Sequence, residues 1–431
     1  MEPPIFQFAL DPQNLTAAFD ATSGETISRI VRFWRSKCTL RFFDKLSKPY
    51  YTQFMIIERS ILNYIQKEIE TEPKILLLYG PRQAGKTTLL QELLGRTNLS
   101  VIQFTGDDLR TQEIFGRADL DKFKAIIGAN RLLIIDEAQR IENIGLSLKL
   151  IFDQMRIHII ASGSASFDLA NKVNEPLTGR SSTFTLYPFS YDEIPTVPPY
   201  ASNSERMEEF LRFGMYPRVF SLPENEKENY LYELVNNYLY RDILSFEQVR
   251  KPKKVLDLLA LLALQIGSEV STTELASHLS ISKISVEKYL DLLEKMFVIV
   301  NLRGFSRNLR KEVSKSSKYY FVDMGFRNAL IRNFNPLNLR ADSGAMFENF
   351  AVIERMKKYL HKRQFANFYF WRTYDQKEID LIEERQGELK AFEFKWKDGQ
   401  GNQKTASEFT QSYTNSSYHV ISPAFFDEFA K

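Results

Sequence analysis

The sequence predicts an α/β protein. A parallel sheet carrying a phosphate-binding loop is followed by a helical lid, a winged helix and a terminal αβββαβ unit. Three observations carry that expectation. Between residues 74 and 188, short β-rich apolar runs alternate with helical stretches, as in strands joined by crossover helices. Within that region "GPRQAGKTT" (80–88) satisfies G-x-x-x-x-G-K-[ST] between a strand and a helix. The last ninety residues or so read as helix, three strands, helix, strand.

The bulk composition narrows the class. At 431 residues, 44% hydrophobic and 26% charged, the chain has material for several separate cores. A net charge of +3 is too mild to argue for nucleic-acid binding as a whole, so local charge must decide. The single cysteine, Cys38, cannot form an internal disulfide, which suits a reducing cytoplasm. "VLDLLALLALQIG" (255–267) is the longest apolar stretch, is broken by Asp257, and is shorter than the ~18 residues of a membrane span. The amino terminus "MEPPIFQFAL" lacks the basic-then-apolar pattern of a signal peptide. A soluble cytoplasmic protein without a membrane partner is expected.

Taken in order, residues 1–54 carry no motif. Met55 opens "MIIERSILNYIQKEIE", a strongly periodic amphipathic helix, which suggests that Met55 is a natural start and residues 1–54 an extension. Residues 55–190 are read as the P-loop ATPase domain, with strands "KILLLY", "SVIQFTG", "RLLIID", "RIHIIAS" and "TFTLYP". Residues 191–250 are read as a helical lid or linker broken at "GMYP" and "LPEN", and residues 251–325 as a winged helix. Residues 340–431 are the terminal domain.

In the loop 80–88, which includes Pro81, Gly80 and Gly85 let backbone amides curl around phosphate oxygens at a helix amino terminus. Arg82, Gln83 and Ala84 complete the turn, and Thr88 closes the motif. Lys86 reaches the β- and γ-phosphates, and Thr87 offers its hydroxyl to Mg²⁺. The strand "RLLIIDEAQ" (131–139) ends in two acids: Asp136 to hold the hydrated magnesium, and Glu137 to polarise a water for attack on the γ-phosphate. Ser162 or Ser164 in "ASGSAS" is a candidate γ-phosphate sensor, the alternative being a plain serine turn. Arg180, just before the fifth strand, is either a finger toward a neighbouring subunit's γ-phosphate, which would imply a homo-oligomer, or a surface arginine. "NKVN" (171–174) ends in Asn174 and does not complete the guanine-reading motif, so ATP is the expected nucleotide.

These segments, with "LTGRSSTFTLYPFSYDEI", "GMYP", "YLYRDIL", "KYYFVDMGFRNAL", "GAMFENFAVIE" and "EIDLIEE…AFEFK", resemble the prokaryotic AAA-type proteins that join a Walker ATPase domain to a carboxy-terminal domain of unknown function. The resemblance covers roughly 55–431. It implies the Walker roles for Lys86, Thr87, Asp136 and Glu137, and leaves the biological task open.

In the middle segment, Leu275, Ala276, Leu279 and Ile281 form the inward face of a helix-turn-helix, and Ser282 is placed to cap the second helix. That helix offers Lys283, Ser285 and Lys288 to a DNA groove, with Glu287 as a dissenting charge. The hairpin that follows carries Arg303, Arg307, Arg310, Lys311, Lys315 and Lys318 against one acid, Glu312, as a basic wing. The alternatives are a protein-docking module and an ordinary solvated charge run.

Finally, "KEIDLIEERQGELKAFEFKWK" (377–397) puts Asp380, Glu393 and Lys395 on polar strand faces, with Phe392, Phe394 and Trp396 pointing into a core. With Glu348 on the preceding helix, the order and the acids resemble the PD-(D/E)xK nuclease fold. In such a site Asp380 and Glu393 would ligate Mg²⁺, Lys395 would orient the attacking water, and Glu348 would complete the acidic shell. The expected function is an ATP-hydrolysing protein acting on DNA. The alternatives are an ATP-dependent protein-binding switch and an ATP-gated, metal-dependent endonuclease.

Overall fold

The structure is a computed structural model. It describes residues 57–164, 177–195, 202–238, 251–305, 317–373, 375–397, 399 and 401–430. The expectations for residues 1–54, Arg307, Arg310, Lys311, Lys315 and "NKVN" lie outside the described residues.

The first layer begins with helix α1 (Leu62–Ile69), whose Leu62, Ile65 and Ile69 repeat at helical spacing and are buried. Strand β1 (Ile75–Tyr79) leads through the phosphate loop into α2 (Lys86–Leu94). Then come β2 (Val101–Thr105), α3 (Leu109–Gly116), α4 (Leu120–Ile127) and β3 (Leu132–Asp136). Helix α5 (Ile144–Met155), β4 (His158–Gly163) and β5 (Ser181–Thr185) complete it. Asp108 and Asp119 start α3 and α4 by accepting the first free amides, which fixes where each crossover helix begins. The five strands are parallel in the order β2-β3-β4-β1-β5. Strand β1 is buried along its whole length, as a continuous apolar run covered on both faces should be.

Helices α6 (Asn203–Phe213) and α7 (Glu224–Tyr238) flank a short 3-10 turn at Pro217–Ser221. Helix α8 (Pro252–Leu264), strand β6 (Glu269–Val270), α9 (Thr272–Leu279) and α10 (Lys283–Lys295) follow, and lead into β7 (Ile299–Gly304) and β8 (Ser317–Phe321). Ser271 and Ser282 cap α9 and α10 through the amides of Glu274 and Ser285. After α11 (Met324–Leu330) come the long α12 (Ser343–His361), β9 (Asn367–Arg372), β10 (Glu378–Arg385) and β11 (Glu388–Phe394). The last elements are α13 (Gln403–Ser412), β12 (Ser416–Ile421) and α14 (Phe426–Ala430).

These last seven strands form one mixed sheet, ordered β12-β11-β10-β9-β7-β8-β6. Arg303 and Gly304 of β7 pair in parallel with Tyr369 and Phe370 of β9. The sheet therefore runs across the expected gap between residues 325 and 340. A two-stranded hairpin is marginal in water, and joining a larger sheet removes that weakness.

The terminal sheet is covered on both faces. Phe392 and Phe394 pack with Phe347, Phe350, Phe426 and Phe429 beneath α12 and α14. On the other side, Leu389 and Ala391 pack with Trp371, Ile379, Ile382 and Phe409 of α13. The face expected to be polar around Glu393 is thus a second small core, and Glu393 is itself buried. Strand alternation alone could not show that α13 closes over it. Among the described residues no helix is long and apolar enough to cross a membrane.

Candidate functional site

The tips of β1, β3 and β4 meet at one end of the parallel sheet. Gly80 leaves β1 where a Cβ would stand 2.1 Å from the carbonyl oxygen of Leu186, so only glycine fits that approach. Gly85 has φ +97° and no side chain caps α2, so the helix opens on the loop with its amino terminus turned to where an anion would bind. Lys86 is buried and donates to the carbonyls of Gly80 (2.8 Å) and Pro81 (3.0 Å). Thr87 Oγ1 donates to Asp136 Oδ2 at 2.7 Å, which brings the two expected magnesium-holding side chains together. Thr87 and Thr88 are exposed at the opening of α2.

Glu137 sits at φ +50°, a left-handed conformation that a non-glycine residue adopts only when its surroundings hold it there. Two neighbours supply that hold. Gly106, at the end of β2, passes so close that a Cβ would meet the Glu137 carbonyl at 2.2 Å, and Gln139 Nε2 donates to Glu137 Oε2 at 2.6 Å. Ser162 donates to Asp136 Oδ1, and Ser164 Oγ accepts from Gln139 Nε2 at 3.2 Å. The two serines expected as phosphate sensors therefore orient the acids in this structure: one touches Asp136, the other the residue that steers Glu137.

Arg180 lies elsewhere. Its backbone carbonyl bonds to the amide of Ile75, at the opposite end of β1 from the loop, and its side chain pairs with Asp153 at 2.9 Å. Five strand residues separate it from the phosphate loop, roughly 15 Å along the chain. It takes no part in the site of its own chain.

Sequence reasoning missed several supports of the loop. Tyr230 of α7 donates to Gln83 Oε1 at 2.7 Å, and Pro217 stands 3.7 Å from where a side chain would begin at Gly85. Arg59 donates to the Ala84 carbonyl (3.3 Å) and the Tyr187 carbonyl (2.5 Å) and pairs with Glu193. Burial alone would raise the Glu193 carboxyl, but Arg59 beside it holds it below the ordinary range. Around Glu193, Tyr191 N donates to Glu354 Oε2 (2.6 Å) and Lys357 of α12 donates to the Phe189 carbonyl (2.9 Å). The segment "YPFSYDEI" thus joins the phosphate loop to α12 through buried polar contacts.

At the second sheet, Glu348, Asp380, Glu393 and Lys395 do come together. Asp380 lies where the β9–β10 register shifts between Ile379 and Ile382, an irregularity that re-aims a side chain. Asp380 Oδ2 accepts from the Phe394 amide at 2.8 Å, and Lys395 donates to Glu393 Oε1 at 2.7 Å. Burial, then Glu348 and Glu393 nearby, push the Asp380 carboxyl well above the usual range. The unforeseen member is Lys318. Expected on an exposed basic wing, it is buried and paired with Glu348 (3.2 Å) and Glu378, because β8 lies inside the sheet. Among the described residues no group of three acids, histidines or cysteines is arranged to hold a metal ion. The carboxylates therefore do not fit the Mg²⁺ site the sequence suggested.

On the middle segment, Lys283, Lys288 and Arg303 are exposed and Ser285 is partly buried. Lys283 is 3.6 Å from Glu287, and Ile284 beside it is 65% exposed.

Comparison with known proteins bears on most of the chain. Residues 72–195 match the AAA domain family, and residues 204–337 and 343–424 match two domains of unknown function, DUF8612 and DUF4143. The chain is 30% identical over 347 residues to the uncharacterized protein Rv2008c of Mycobacterium tuberculosis, covering 79% of this chain and 74% of that protein. It is 28% identical over 307 residues to the uncharacterized protein MJ1637 of Methanocaldococcus jannaschii, covering 62% of this chain and 64% of that one. Among solved structures, the Walker-type ATPase PABY2304 of Pyrococcus abyssi aligns with a TM-score of 0.43 at 17% identity, over 64% of this chain and 96% of that one. The chain belongs to the family of the mycobacterial protein Rv2008c, with an AAA domain, which implies nucleotide binding, ahead of the DUF8612 and DUF4143 regions.

Proposed function

We propose that this protein binds and hydrolyses ATP and uses its nucleotide state to change its grip on DNA. The observation that carries the first half is the joining of Thr87, Asp136, Glu137 and Gln139 at the strand tips beside the phosphate loop. Thr87 and Asp136 would hold Mg²⁺, which neutralises charge on the phosphates when bound. Lys86 would reach the β- and γ-phosphates, and Glu137, fixed by Gln139 and Gly106, would orient the attacking water.

Support for the second half comes from the contacts that leave the loop. Tyr230 and Pro217 touch it from the helical segment read as a lid, and Arg59 connects it to Glu193 and thence to α12. These contacts offer a route from the loop to the helical segment read as a lid and, through Glu193, Tyr191 and Phe189, to α12 of the terminal domain. Lys283, Lys288 and Arg303 are among the described cations exposed to solvent, with Arg307 and Arg310 following in sequence. The test is DNA-stimulated ATP turnover at low and high salt. Stimulation that falls steeply with salt and disappears in Arg303/Arg307/Arg310→Ala supports the proposal. Turnover indifferent to DNA and salt would sink it.

A second reading, an ATP-dependent protein-binding switch, is favoured by one observation. The helix that would read a groove pairs Lys283 with Glu287 and exposes Ile284, and Lys318 is withdrawn from the basic patch. DNA-independent turnover would move the assignment to that class.

A further inference from the structure

A lysine buried to 1% exposure among carboxylates needs a reason, because removing an ammonium from water costs several kcal/mol unless charge and hydrogen bonds replace the solvent. The Lys318 ammonium is placed between Glu348 of α12 and Glu378 of β10. Tyr320, two residues on, donates to the same Glu348 oxygen at 2.7 Å. Arg372 approaches the other side of Glu378 at 3.7 Å. Asp380 spends an oxygen on the Phe394 amide, and Glu393 spends one on Lys395. Among the described residues, Glu393 Oε2 and the Tyr418 hydroxyl that faces Glu393 are buried atoms left without a well-formed hydrogen bond.

We infer that Lys318 is the resident cation of this cluster: its ammonium fills the place a divalent ion would take, and the cluster fastens β8, α12 and β10 together without a metal. Mg²⁺ demands close octahedral contact with about six oxygens at 2.0–2.1 Å. Here Lys318 stands against Glu348 and Glu378, Lys395 against Glu393, and the Phe394 amide against one Asp380 oxygen, so much of the negative charge a metal would need is already met. A second cation would meet that ammonium in a low-dielectric setting, where like charges a few ångströms apart repel strongly. The Lys318 ammonium meets the Glu348 and Glu378 carboxylates directly, so its charge is balanced where it sits. The lysine also ties the strand after the basic segment to α12, the helix whose Lys357 donates to the Phe189 carbonyl. It acts as a strap between those two parts, independent of whether the wider protein acts on DNA.

The test is Mn²⁺ titration of the full chain without nucleotide, followed by loss of the free-ion paramagnetic signal and by calorimetry. Wild type is compared with Asp380→Asn, Lys318→Ala, Lys318→Gln and the Lys318→Ala/Asp380→Asn double variant. The expected result is no Asp380-dependent site in the wild type. Lys318→Ala or Lys318→Gln should gain one site, at least tenfold tighter than any in the wild type, and the added Asp380→Asn change should remove it. A weak wild-type site that survives Asp380→Asn belongs to Thr87 and Asp136 and leaves the inference standing. A wild-type site abolished by Asp380→Asn overturns it. So does the absence of any gained site in Lys318 variants that melt as cooperatively as the wild type. If neither Lys318 variant folds, the wild-type and Asp380→Asn comparison decides alone.

Discussion

Two of the buried lysines among the described residues are wired in opposite ways. Lys86 rests on the carbonyls of Gly80 and Pro81, neutral oxygens within the loop that would receive a phosphate. An incoming anion competes with those carbonyls for the ammonium, a contest a phosphate can win. Lys318 rests on the carboxylates of Glu348 and Glu378, so any anion would have to displace a charge already in place. Lysine beside acids is therefore no evidence of chemistry by itself. What the ammonium is bonded to decides whether the site is poised or closed.

The strongest test of that contrast is removal of each lysine. Lys86→Ala is expected to lower ATP turnover by about 100-fold or more, because the phosphates lose the cation aimed at their developing charge. Steady-state phosphate release measures it, and turnover within threefold of wild type would break the comparison at its first term. Glu137→Gln should lower turnover by a similar factor, about 100-fold or more, while nucleotide still binds. Binding measured with a fluorescent nucleotide separates the two variants, since only Lys86→Ala should lose both.

Lys318→Ala should leave the ATP site alone and act on stability. Breaking a buried pair by deleting one partner strands the other, at a cost of about 3 kcal/mol or more. Glu378 is partly exposed, which moves the expectation to the lower end of that range. The expected outcome is a lower melting midpoint with ATP turnover per folded molecule unchanged. A loss of turnover without a loss of stability would make Lys318 a chemical residue after all.

The two sites also differ in how far the sequence reveals them. The phosphate loop, Asp136 and Glu137 are set by backbone geometry over a few consecutive residues at strand tips, so spacing alone locates them. Gly106 and Gln139 obey the same local logic, but no motif flags them, although Gln139 stands two residues from Glu137. At the second sheet, the residue types and their strand are legible, but the surroundings are not. The β10 irregularity at Asp380, the cover of α13 over Glu393, and the arrival of Lys318 from a hairpin sixty residues before β10 all depend on tertiary pairing. The basic neighbours of Lys318 imply an exposed side chain. The sheet that joins β8 to the terminal strands puts it inside.

Glu294 of α10 is an intermediate case and sharpens the comparison through pH. Burial first, then Asp291, raise its pKa from 4.5 to about 7, with Arg303 and Lys295 opposing only in part. The folded state thus binds its proton more tightly than the unfolded chain does. The stability this contributes is fully present below about pH 4.5 and is lost as pH rises through about 7. Glu294→Gln, which carries no charge at any pH, should gain on wild type in melting temperature between pH 5 and pH 8. A difference that stays flat across that window would mean the carboxylate is better served in the fold than its surroundings indicate.

The smallest effect is expected at Arg180. Its pair with Asp153 is partly exposed, with 37% and 31% of the two side chains open to solvent, and such pairs contribute about 1 kcal/mol or less. Arg180→Ala should therefore barely move the melting midpoint. Because Arg180 lies at the far end of β1 from the loop, turnover of the dilute, monomeric protein should stay within about twofold of wild type, a margin worth under 1 kcal/mol. Turnover measured across a range of protein concentrations checks both expectations. A deficit that grows as the protein self-associates would put Arg180 in a neighbour's nucleotide site. It would also show that the third kind of cation in this chain is wired between subunits, rather than to its own backbone or its own acids.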